Sequence, residues 1–196
     1  MEIVLATRNR KKVGEIIRIT GGTDIRILTL DDFPGCPEAE EDGDTFEENA
    51  VKKAVAVAQY TGKTALADDS GLEIDALGGE PGTRSARYSG EGADDARNIG
   101  KLLYEMRGFH AGERSGRFVC CIALASPDGE IRTFFGYAEG SIGNAPKGSH
   151  GFGYDPVFYP KGSHRTFAEM SNGEKDALSH RGKALEELKK HLKSIC

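Results

Sequence analysis

The 196-residue chain has no stretch of 18 apolar residues, no Cys-x-x-Cys pair, no G-x-x-x-x-G-K-[ST] loop and no excess of positive charge. Each absence removes a class of protein. Without a long apolar run no membrane-spanning helix is expected, and Met1 leads straight into a polar-flanked strand rather than a secretory leader, so the expected location is the cytoplasm, with no membrane partner. The four cysteines, Cys36, Cys120, Cys121 and Cys196, lack the spacing of a zinc or redox site. Because the adjacent pair lies in an apolar run, reduced, buried thiols are expected instead of a disulfide frame. Lys plus Arg total 26 against 31 Asp plus Glu, a formal charge of -5, which argues against a binder of polymeric nucleic acid. A free nucleotide needs only a local basic cluster and stays open. No internal repeat or low-complexity linker divides the chain, so residues 1–196 suit one globular domain or two lobes that share a cleft.

What is present is organised around Leu66-Ala67-Asp68-Asp69-Ser70-Gly71-Leu72, where two adjacent acids follow a short apolar run. The pattern predicts a strand from Thr64 to Ala67 that breaks into a Ser-Gly turn, letting both carboxylates face one crevice around a hard cation. An ordinary Asp-Ser-Gly surface turn fits the same residues. Upstream, a strand from Glu2 to Ala6 runs through Thr7-Arg8-Asn9-Arg10-Lys11-Lys12 into a helix with Val13, Ile16 and Ile17 on its apolar face. Amides at a helix start, flanked by several cations, suit a polyphosphate, although taken alone the segment fits a solvated basic turn better. A second strand, Ile25 to Leu30, leads to an acidic loop in which Glu38, Glu40, Glu41, Asp42 or Asp44 offers a further oxygen ligand. Thr45-Phe46-Glu47-Glu48 reads as a capping box opening a helix that Gly62 stops.

The later half predicts a strand at Leu72 to Leu77, a helix at Asp94 to Arg107, and strands Arg117 to Ala125 and Ile131 to Tyr137 around a Pro127-Asp128-Gly129 hairpin turn. Gly151-Phe152-Gly153-Tyr154-Asp155-Pro156 frames an aromatic ring between glycines, as base stacking needs, and a sharp bend between strands explains the glycines equally well. Glu174 to Arg181 opens a last helix with Leu178, Leu185, Leu188 and Leu192 on its core face. Lys175, His180 and Arg181 then lie near its start, where cations oppose the helix dipole unless an anion is bound.

Taken together, Thr7-x-Asn9-x-x-Lys12, Ala67 to Leu72, Gly151 to Pro156 and Ser179-His180-Arg181 stand in the order and spacing of the inosine/xanthosine triphosphate pyrophosphatases, which this chain resembles from first strand to last helix. Gly43-x-Thr45-Phe46-x-Glu48-Asn49-Ala50 and Pro81-Gly82-x-x-Ser85-Ala86-Arg87-Tyr88 join the resemblance. It implies magnesium-dependent cleavage of ITP, dITP and XTP to the monophosphate and pyrophosphate by a homodimer. The implied fold is α/β, an elongated mixed sheet in two lobes with flanking helices and a central active-site cleft. The resemblance further implies that Asp69 is the catalytic acceptor and a magnesium ligand, and that Glu41 is a second ligand. Substrate contacts are implied for Thr7, Arg8, Asn9, Arg10, Lys11, Lys12, Ser70, Phe152, Gly153, Tyr154, Asp155, Lys175, His180 and Arg181. The base edge is expected to be read by His180, Arg181 and the backbone of Phe152 to Asp155. Gly148-Ser149-His150-Gly151 departs from the pattern of many relatives, and puts access to the base pocket in question. A related pyrophosphatase for pyrimidine or modified nucleotides, a haloacid-dehalogenase-type phosphatase, for which the Asp-x-Asp motif is missing, and a non-catalytic nucleotide sensor are the alternatives.

Overall fold

A computed structural model describes residues 1–23 and 25–195; Cys196 and its expected thiol state lie outside the described residues. The strands are β1 (Glu2–Leu5), β2 (Arg26–Leu28), β3 (Ala65–Ile74), β4 (Ser115–Ala125), β5 (Ile131–Ile142) and β6 (Phe158–Pro160). The helices are α1 (Arg10–Thr20), α2 (Phe46–Thr61), α3 (Asp95–Glu105), α4 (Asn172–Leu178) and α5 (His180–Ile195). One sheet orders the strands β2-β1-β3-β4-β5-β6. Its beginning is parallel, with Ile3 opposite Ile27 and Val4 opposite Ala65, and its end is antiparallel, with Ser141 opposite Tyr159. The mixed α/β sheet expected from the sequence is therefore present.

The chain divides into two compact units. The first comprises Met1–Asp69, Cys120–Gly136 and the segment from Arg181 onward; the second comprises Ser70–Val119 and Tyr137–His180. Each has its own core: Ile3, Leu5, Ile16, Leu66, Ile122 and Leu188 in the first, and Leu72, Ile74, Leu102, Phe118, Phe158 and Phe167 in the second.

Local chemistry sets the helix starts. Asn9 Oδ1 accepts the Lys11 and Lys12 amides at 3.0 and 3.2 Å, Thr45 and Glu48 form the capping box of α2, and Asp94 caps α3. The remaining differences are instructive. Asp68-Asp69-Ser70-Gly71 does not turn: β3 continues through it to Ile74 and absorbs the start of the strand read at Leu72 to Leu77. β3 lies between β1 and β4 in the sheet, its pairing with β1 is at Ala65 and Leu66, and its extended run onward to Ile74 overrides the local turn preference of Asp-Ser-Gly.

The single last helix is in fact two, separated at Ser179, whose φ of -72° and ψ of 155° are extended. A capping box of Ser171 and Glu174 starts the first of them, so Lys175 belongs to α4 and only His180 and Arg181 open α5. Leu178 is 44% and Ile17 46% exposed, against the expected core faces; Leu185, Leu188 and Leu192 are buried as expected. Cys36, Cys120 and Cys121 are free and buried.

Candidate active site

β3 delivers both acids, and the alternation of a strand separates their partners. Asp68, 1% exposed, receives Lys12 Nζ at 2.5 Å on Oδ1, with Arg181 Nε and the Cys120 thiol each at 3.0 Å on Oδ2. Arg181 also donates from Nη1 to Glu15, which α1 presents one turn after Lys12. Burial would raise the Asp68 pKa, but the Arg181 and Lys12 cations outweigh it and hold the carboxyl well below the usual range. Burial and the neighbouring carboxylate push the Cys120 thiol up, which makes it inert as a nucleophile.

Asp69 meets a different set. Lys53 Nζ lies 2.8 Å from Asp69 Oδ1, 2.8 Å from Glu41 Oε1 and 2.8 Å from the Asp68 carbonyl. Burial raises the Asp69 pKa, with Lys53 and then Lys12 opposing the rise incompletely. For Lys53, burial works against the ammonium, and Asp69 and Glu41 reverse it, so its pKa is raised. The turn expected to bring Asp68 and Asp69 round to one crevice is thus absent, and the two carboxylates have different ion-pair partners. Asp69 shares its surroundings with Glu41 instead, across a gap of 28 residues in the chain.

Among the described residues no three His, Cys, Asp or Glu side chains form a ready-made metal cage. Two carboxylates drawn together by one ammonium still fit magnesium, which binds through one or two carboxylates and keeps several waters.

The basic loop is exposed and partly tied to itself. Thr7 Oγ1 accepts the Asn9 amide at 3.2 Å, Asn9 caps α1, and Arg8 Nη2 donates to the Cys36 carbonyl at 2.9 Å. Arg10 and Lys11 are exposed in the first turn of α1, whereas Lys12 is half-buried on Asp68.

In the second unit, Asp155 is the fixed point. Its Oδ2 accepts the Phe152 amide at 2.9 Å and the Lys175 ammonium at 2.5 Å, and Lys175 Nζ also lies 4.9 Å from the centroid of the Phe152 ring. Gly151 permits this: at φ +73°, a Cβ on it would meet Asp155 Oδ2 at 2.0 Å. Tyr154 is buried, its hydroxyl donating to the Ser85 carbonyl at 2.8 Å, so its ring is part of the core. The His180 ring stacks on Phe118 at 4.6 Å between centroids. Ser70 is half-buried and Gly153 sits at φ +60°. His150 is tied down by Nδ1, 3.0 Å from the Met170 carbonyl.

Residues 3–191 match the Ham1 family. The chain belongs to the Ham1 family. A dITP/XTP pyrophosphatase of Geobacter sulfurreducens is 53% identical over 190 residues, covering 97% of this chain and 96% of that protein. The dITP/XTP pyrophosphatase of Bacillus subtilis is 45% identical, covering 98% of each. The structure of a HAM1 protein from Coxiella burnetii superposes with a TM-score of 0.90 at 43% identity over 99% of both chains.

In this Ham1 chain the residue that motif reading overlooked is Lys53. Its one mark in the sequence is position: it falls on the buried stripe of α2 with Asn49, Ala50, Ala54 and Val57, where an unpaired lysine would be costly. Glu15 gives the same signal on α1, beside the buried Ile16.

Proposed function

We propose that this Ham1 protein hydrolyses the non-standard purine nucleoside triphosphates ITP, dITP and XTP to the monophosphate and pyrophosphate, removing deaminated purines from the nucleotide pool. The observation that carries the reading is the Glu41–Lys53–Asp69 cluster, within a chain similar over nearly its whole length to proteins named dITP/XTP pyrophosphatase. Asp69 accepts the proton of the attacking water, and a carboxyl raised by burial is suited to that work. The water oxygen bonds to phosphorus, the α–β anhydride bond breaks, and pyrophosphate leaves. Glu41 and Asp69 would hold magnesium, which when bound neutralises phosphate charge. Thr7 to Lys12, with Ser70, contact the phosphates and sugar. Phe152 to Asp155, Lys175 and His180 serve the base, and Arg181 acts from behind, anchoring the Asp68 carboxylate that holds Lys12. The working form is a cytoplasmic homodimer.

The test is product analysis by phosphorus NMR with ITP, XTP, ATP and dTTP in magnesium. Pyrophosphate and IMP from ITP, with ATP and dTTP turned over far more slowly, is the expected result; orthophosphate, or tight ITP binding without turnover, would overturn it. Asp69→Asn is expected to lower kcat by roughly 10² to 10⁴ while ITP still binds.

A further inference from the structure

The loop that carries Glu41 is joined to α2 by more than one lysine. Gly43, two residues after Glu41, donates its amide to Asn49 Oδ1 at 2.8 Å, and Asn49 Nδ2 donates back to the Gly43 carbonyl at 3.3 Å. One side-chain amide therefore pairs with both polar groups of a single loop residue, as a neighbouring strand would. The next two amides, Asp44 and Thr45, donate to Glu48 Oε2 at 2.9 and 3.1 Å. Three consecutive backbone N–H groups are thus fixed by two adjacent side chains of α2.

Asn49 does a second thing. It is 1% exposed, and its Nδ2 also lies 3.5 Å from Asp69 Oδ2, on the carboxylate whose other oxygen holds Lys53. Asn49 and Lys53 are four residues apart, so they share one face of the helix. That face meets Glu41 through Lys53 and the backbone beyond Glu41 through Asn49, while both side chains meet Asp69. The closeness is built in at Gly43, where a Cβ would meet Asn49 Oδ1 at 2.8 Å and Glu48 Cβ at 2.9 Å. The Asn amide is suited to this place because it offers an acceptor to the Gly43 N–H and donors to two oxygens at once.

We propose that Asn49 and Gly43 form a positioning clamp that sets Glu41 in register with Asp69, so that the two carboxylates are preorganised to take one hard divalent cation. This rests on the reading of Glu41 and Asp69 as the metal pair. Both are positioning residues: Gly43 acts through the loop backbone, and Asn49 through that backbone and its contact with Asp69 Oδ2. Supporting residues of this kind typically change metal affinity by 10- to 100-fold.

Two measurements on the full chain test it. Mn²⁺ alone, titrated by electron paramagnetic resonance into wild type, Asn49→Ala and Gly43→Ala, is expected to bind about tenfold more weakly in both variants. Amide hydrogen exchange without metal is expected to be about tenfold faster over residues 38–44 in both, with α2 beyond Lys53 unchanged. Asn98→Ala is the control, since buried Asn98 holds the Ser89 amide and the Ala86 carbonyl in the second unit in a similar way. It is expected to lower Tm and leave Mn²⁺ binding as in wild type. Wild-type Mn²⁺ affinity in both clamp variants, or loop exchange as slow as in wild type, would overturn the clamp. Wild type binding no Mn²⁺ at all would withdraw the metal reading of Glu41 and Asp69, and the clamp's purpose with it. Weakening by Asn98→Ala equal to that by Asn49→Ala would mean general loosening, and would also overturn the proposal.

Discussion

Arg181 and Asp68, 113 residues apart in the chain, form a pair in which Nε lies 3.0 Å from Oδ2 and neither side chain is more than 1% exposed. Arg181 Nη1 is on Glu15, so the guanidinium joins the last helix, β3 and α1 within the first unit. The sequence points to Arg181 for its place beside His180 at a helix start. Its neighbours point to a different task, holding two buried carboxylates, Asp68 and Glu15.

Arg181→Ala is therefore expected to destabilise the fold by about 3–5 kcal/mol, because it removes the guanidinium shared by buried Asp68 and Glu15 and leaves Asp68 only Lys12 as a cation partner among the ion pairs described above. It is also expected to lower kcat/KM for ITP and ATP by the same factor, whereas a base-reading arginine would cost ITP more. Urea unfolding and paired kinetics check both; a loss of stability under about 1 kcal/mol, or a collapse of the preference for ITP, contradicts the anchoring role.

Two glycines in the aromatic segment are expected to behave differently. Gly151→Ala drives a methyl into Asp155 Oδ2, so it should displace the carboxylate that fixes both the Phe152 amide and Lys175. Gly153 has a positive φ but nothing within 4 Å of a Cβ, so Gly153→Ala meets only backbone strain of roughly 1–2 kcal/mol. KM for ITP should rise at least tenfold in the first variant and by much less in the second. Equal KM values in the two would show that the Asp155 contact does not organise the nucleotide site.

Glu174 ties stability to pH. Arg165 and then Ser171 hold its carboxyl down to about 2, from an ordinary value of 4.5. Between these values the unfolded chain takes up a proton that the folded chain refuses, so the contribution is complete above the upper value and is lost as pH falls through the lower one. Because Glu174 also caps α4, the helix bearing Lys175, Glu174→Gln should show its largest Tm deficit near pH 7 and a smaller one near pH 2.5. A deficit independent of pH would assign the effect to capping geometry alone.

Much of this protein is legible without coordinates because the signals are local. Thr45 and Glu48 specify the start of α2 through their own hydrogen bonds, Asp94 does the same for α3, and Pro127-Asp128-Gly129 places the turn between β4 and β5. The motif residues Asp69, Lys12 and Lys175 stand out because charged groups beside apolar runs or glycines need a reason to be there. The break at Ser179 carries no proline or glycine, and so it left no comparable mark.

The sequence by itself determined most of the elements, the mixed α/β class and the residue types that a triphosphate requires, since capping, periodicity and turn chemistry act over a few residues. Only the tertiary structure decided which charge faces which. Asp68 and Asp69 are neighbours in the chain, yet sheet pairing carries β3 straight through them, and the pleat gives Asp68 to Lys12 and Arg181 and Asp69 to Lys53. Those partners come from 16 to 113 residues away, and burial makes each pairing consequential, because a carboxylate removed from water must be matched by a cation that only the fold can bring to it.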